Sequence, residues 1–127
     1  MQDKHLYEYA VIRVVPRVER EEFINAGVIV FCKRARFIRV LYAINEAKLH
    51  AICPELDVAQ ISRNLMSFER IARGAEDGGP IAQLETPERF RWLTAVRSSV
   101  IQTSRPHPGL CDELDYKTTK LFEELVM

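Results

Sequence analysis

The sequence predicts an α+β fold: a small antiparallel sheet, made of a β-hairpin, a first strand and a late fourth strand, covered by three to four helices. Three observations predict it. Residues 7–15 carry aromatic and β-branched side chains on both alternating sets, as in a strand covered on both faces. Two further strand-like runs, Ala26 to Cys32 and Phe37 to Tyr42, are joined by Lys33-Arg34-Ala35-Arg36, which reads as an antiparallel hairpin. After Tyr42, capping residues followed by apolar residues at helical spacing dominate.

Each element follows from local chemistry. Pro16 ends the first strand because it offers no backbone donor to a ladder. The connection from Arg17 to Asn25 is long enough for one helical turn at Glu19 to Phe23. Asn45 can cap a short helix running to His50, which Pro54 closes off. Asp57 and Gln60 have capping-box spacing, and Val58, Ile61, Leu65, Phe68 and Ala72 form the buried stripe that follows. Gly74 stops that helix, and the segment from Gly74 to Pro80, with three glycines and a proline, reads as a mobile surface loop. Thr86 then caps a helix with Pro87 at its first position, and Phe90, Leu93 and Val96 mark its buried side. Val100 to Ser104 is the β-prone fourth strand, and Pro106-His107-Pro108-Gly109 reads as a rigid loop. Asp112 starts a last helix whose Leu114, Thr118, Leu121 and Leu125 face inward.

Composition bounds the function. The 127 residues suit one domain, 1–127, and 47% hydrophobic content marks a globular chain. Eighteen basic against eighteen acidic side chains argue against affinity won by neutralising phosphates, so nucleic acid is not the expected partner. No apolar run approaches a membrane span, and MQDKHLYEY is not a signal peptide, which points to a cytoplasmic protein. Cys32, Cys53 and Cys111 are odd in number and widely spaced, as reduced thiols rather than a disulfide framework. His50 and Cys53 supply two metal ligands at local spacing, but Cys32, Cys111, His5 and His107 form no second pair, so neither metal nor cofactor is expected. Nothing marks Cys53 as an activated nucleophile. There is no phosphate-cradling glycine loop, nucleophile elbow or zinc-protease motif, and whether the chain is an enzyme stays open.

A few polar residues stand out. Arg13 shares a strand face with Tyr7, Tyr9, Val11 and Val15, where a guanidinium needs a partner. It reads first as a buried ion pair with Glu22, and alternatively as an arginine held in a cleft for an anion. The run Arg17 to Val30 places Arg20 and Glu22 beside Asn25 and Gly27, which read as the turn into strand two. Arg97 and Ser98 lie where a helix passes into a strand; they suit capping first and anion binding second. Arg13, Arg20, Glu22, Asn25, Arg97 and Ser98 are therefore the candidate ligand site. Lys33, Arg34, Arg36 and Arg39 make the strongest positive cluster, which reads as a solvated hairpin tip before it reads as a nucleic-acid ribbon.

Three blocks together resemble a known family. They are Tyr9-Ala-Val-Ile-Arg13-Val-Val-Pro, Arg20-Glu-Glu-Phe-Ile-Asn25-Ala-Gly27-Val and Arg91-Trp92-Leu-Thr-Ala-Val-Arg97-Ser98, and they are similar to the small bacterial proteins called domain of unknown function 3037. The resemblance covers nearly the whole chain and implies no catalytic residue. It implies a partner role, since such proteins are associated with HipA-like kinase-fold proteins encoded nearby. The expected function is thus an accessory or interaction module for a protein partner. The alternatives are a small anion- or nucleotide-binding domain or enzyme, and nucleic-acid binding through the hairpin tip.

Overall fold

A computed structural model describes residues 4–127. Five strands, β1 (His5–Val14), β2 (Ile24–Cys32), β3 (Phe37–Tyr42), β4 (Ile101–Thr103) and β5 (His107–Cys111), form one antiparallel sheet. Four helices pack on it: α1 (Glu46–Ile52), α2 (Val58–Ala72), α3 (Thr86–Leu93) and α4 (Leu114–Leu125). The strand order is β3-β2-β1, and β4 and β5 share the remaining edge of β1. Ile12 to Val14 pair with β4, whereas His5 to Tyr9 pair with β5. Ser104 fills the gap between them. Its amide donates to Val11 O at 2.9 Å and its buried hydroxyl accepts from Val11 N at 2.8 Å, so neither Val11 group is stranded where the partner strand changes.

β1 and β2 are buried on both faces, as the doubled apolar pattern of residues 7–15 requires. On one face Ala10, Ile12, Val14, Ile29 and Phe31 pack with Leu49, Ile61, Leu65, Phe90 and Leu93 from α1, α2 and α3. On the other, Tyr7, Val28, Val30 and Cys32 meet Leu114 and Leu121 of α4. Burying these branched side chains, at about 25 cal/mol per Å² of apolar surface, holds the layers together. Asn45 and Asp57 cap α1 and α2 through the amides of Lys48 and Gln60. Among the described residues no helix is long and apolar enough to cross a membrane.

Several local expectations are corrected. Pro106 to Gly109 is not simply a loop, because His107, Pro108 and Gly109 belong to β5. An edge strand tolerates a proline where no ladder donor is needed. Gly109 lies opposite Tyr7, and a Cβ there would meet the tyrosine hydroxyl at 2.5 Å, so only glycine leaves room for the ring. α3 ends at Leu93, which leaves Val96 wholly exposed rather than buried. Glu85 precedes α3 without a side-chain cap, and the Thr86 hydroxyl instead accepts from Arg89. Asp57 caps α2, but the Gln60 side chain binds Asn64 and Arg63 rather than returning to the cap. The helical turn expected at Glu19 to Phe23 is a 3-10 turn at Val18–Arg20. Residues 74–80 are tied by Ala75 N to Arg70 O, Gly78 N to Ala75 O and the Gln83 amide to Ala75 O, so the loop carries internal turns.

Candidate functional site

Arg13 sits at the one irregularity of the central strand pair. Ile12 is opposite Gly27 and Arg13 opposite Asn25, which leaves Ala26 as an extra residue in β2. Such a bulge bends the strand and re-aims the side chains beside it. Gly27, next to it, lets β3 approach closely: a Cβ there would stand 2.5 Å from the Leu41 carbonyl oxygen. On its other side Arg13 is opposite Gln102 of β4. Directly opposed residues project from the same face, so Arg13 lies in a row between Asn25 and Gln102.

The expected ion pair with Glu22 does not form. Arg13 enters none of the ion pairs among the described residues. Its guanidinium lies instead over the Phe23 ring, 4.2 Å from the centroid, and its Nε is buried with no hydrogen-bond partner. Phe23 reaches that position because the 3-10 turn closes with Glu21 in a left-handed conformation, φ 57°, which turns the chain back towards the sheet. Glu22 binds Arg20. That pairing holds the Glu22 carboxyl below its ordinary range and raises Arg20. Sequence favoured Glu22 for Arg13 because both lie near the turn, but Arg20 is two residues away and reaches it first.

Arg97 borders the same space as Arg13, from a segment distant in sequence. The α3–β4 connection carries it over the Trp92 ring, 4.3 Å from the centroid, and its guanidinium donates to the Trp92 carbonyl at the end of α3. A cation there satisfies a helix-end carbonyl and complements the dipole. Arg13, Arg97, Ser98 and Gln102 together line a cleft of about 590 Å³ with Val15 and Phe23, and Glu21 is its single carboxylate among the described residues. Of the six sequence candidates, the fold thus brings Arg13, Arg97 and Ser98 into one concave site. Arg20 and Glu22 are exposed and paired with each other outside its lining.

Asn25 is adjacent but differently employed. It is not a turn residue: it lies inside β2, and its Nδ2 donates at 3.1 Å to Leu125 O, a terminal carbonyl of α4. Its Oδ1 is buried and without a partner, and the residue lines a separate cavity with Val126. The basic cluster also divides. Arg39 donates to Asp115 at 2.9 Å, which leaves Lys33, Arg34 and Arg36 as the exposed tip. Arg36 closes that turn with φ 51°, its amide donating to Lys33 O.

Residues that sequence reasoning missed include Gln102, whose place follows only from the β1–β4 register, and Phe23. Arg89 was missed too. Its guanidinium donates to Ala72 O, Leu84 O and Thr86 Oγ1, clamping the end of α2 to the start of α3. Among the described residues no group of three His, Cys, Asp or Glu side chains stands together as a metal site. Burial pushes the Tyr7 hydroxyl and the Cys111 thiol up from their ordinary values.

A family model described as protein of unknown function (DUF3037) matches residues 9–126. No curated protein and no solved structure shows a significant match.

Proposed function

The chain belongs to the DUF3037 family, and on that premise, which supplies kinship but no activity, we propose that it is a small anion-binding domain. A carboxylate or phosphate is held in the cleft between Arg13, Arg97 and Ser98. One observation carries the reading: Arg13 is seated on a strand beside a bulge, in no ion pair among the described residues although Glu21 lines the same cleft, and with a desolvated Nε–H left unpaired. A buried unsatisfied donor costs about 1–3 kcal/mol, and an anion is the partner that repays a guanidinium best. Arg97, Ser98 and Gln102 add donors around the same space. A thermal-shift screen over phosphate, acetate and nucleoside phosphates tests it. Stabilisation that rises with concentration and disappears in Arg13→Met supports the proposal, because a ligand bound only to the native state raises the melting temperature by mass action. No shift with any anion refutes it.

A second reading keeps the accessory role, with a kinase-fold protein of the HipA-like kind as partner. It is supported by Leu6 and Leu110, opposed across β1 and β5 and 66% and 62% exposed. Their pairing puts apolar surface at a sheet edge, where a protein contact would bury it. Copurification that is lost in Leu6→Ser/Leu110→Ser but kept in Arg13→Met would favour this reading over the first.

A further inference from the structure

Resting on the anion-binding reading, we propose that the anion is amphipathic, a carboxylate or phosphate joined to an apolar body, and that the body lies in a second cleft beside the first. That neighbouring cleft, about 530 Å³, opens between α2 and the α3–β4 connection. Its walls are largely apolar, with Phe68 and Ile71 from α2, Trp92 and Leu93 from α3, and Val100 and Ile101 at the start of β4, interspersed with uncharged polar side chains such as Ser67 and Ser99. The volume is within the range of small-molecule sites, which are mostly apolar with a few placed polar groups.

Two features tie this cleft to the first. Arg97 and Gln102 line both, so a ligand with its head at Arg13 and Arg97 can pass that shared rim at the β4 edge and lay its body against Trp92 and Ile71. Among the described residues Arg97 is also the only ionisable side chain lining the apolar cleft. The charge pattern therefore suits one negative head and an uncharged body, and it repels a second cation. Trp92 and Phe68 remain partly exposed. An acyl chain or aromatic ring placed there removes apolar surface on both partners from water.

The test is a calorimetric titration of the full chain with acetate, octanoate, octyl phosphate and octanol, in wild type, Ser67→Trp and Arg13→Met. Ser67 is exposed on α2 and lines the apolar cleft, so tryptophan fills the space without entering the core. Octanoate or octyl phosphate binding at least tenfold tighter than acetate supports the proposal, and the tighter of the two identifies the head. Ser67→Trp must then erase that gain while leaving acetate binding unchanged, and Arg13→Met must abolish both. Acetate and octanoate binding equally overturns the amphipathic ligand and leaves the anion site standing. Octanol binding as tightly as octanoate overturns it as well, since the head would then contribute nothing. If none of the four binds, both proposals fall together.

Discussion

Arg13→Met removes the guanidinium but keeps an unbranched, apolar stem over Phe23. In the wild-type protein the desolvated Nε–H has no acceptor, at a cost of about 1–3 kcal/mol. The stacking on Phe23 returns part of this, about 0.5–1 kcal/mol, because that ring is 45% exposed. The difference predicts a variant more stable than wild type by about 1 kcal/mol, or a melting temperature higher by about 3–4 °C for a domain of this size. Urea and thermal unfolding followed by circular dichroism measure it. A buried ion pair would behave oppositely: removing one partner would cost about 3–5 kcal/mol. A loss of that size would mean that Arg13 has a buried carboxylate partner. Combining Arg13→Met with Glu22→Gln sharpens the test. No ion pair joins the two residues among those described, so their effects should add, whereas a joint network would show coupling.

Other perturbations report on the frame around the cleft. Arg89→Met strips three carbonyl and hydroxyl acceptors of their donor at the α2–α3 junction, and should cost about 3 kcal/mol by the same unfolding assay; Arg89→Lys, lacking the planar fork, should not restore it. Asn25→Ala should cost about 1 kcal/mol and increase amide exchange in the last turn of α4, whose Leu125 carbonyl loses its donor. Gly109→Ala should lower the melting temperature by several degrees because the Tyr7 ring must leave its seat, while Tyr7→Ala/Gly109→Ala should show a smaller added loss than the sum. Burial raises both the Cys111 thiol, ordinarily at 9.0, and the Tyr7 hydroxyl, ordinarily at 10.0, so the unfolded chain loses these protons first. Stability from the two groups is therefore complete below pH 9 and falls as pH climbs through their raised folded values; Cys111→Ala should flatten the first part of that fall in melts taken from pH 8 to 11.

Where the fold was legible in the sequence, local chemistry decided it. β3 matches its expected limits because the basic turn and the alternation of apolar side chains both constrain it, and Asn45 and Asp57 cap the helices they were expected to cap. β5 was not legible, because two prolines and a glycine look like loop chemistry until β1 is known to offer an unpaired edge. Val96 keeps helical spacing with Phe90 and Leu93, yet the helix stops three residues before it, where Thr94 and Arg97 take up the final carbonyls. The site was half legible. Arg13 announced itself as a charge on an apolar strand face, but its meeting with Arg97 and Gln102 depends on the β1–β4 register, which no local pattern encodes. Asn25 has the turn propensity that the sequence reading rests on, whereas its actual bond spans 100 residues.

The most direct measurement is the nitrogen–proton spectrum of the arginine side chains during titration with phosphate and octanoate, with signals assigned by Arg13→Met, Arg97→Gln and Arg36→Gln. The Arg13 and Arg97 resonances should shift together and saturate, while Arg34 and Arg36 at the hairpin tip stay in place. Saturating shifts at the hairpin tip with Arg13 unmoved would contradict the anion site at Arg13.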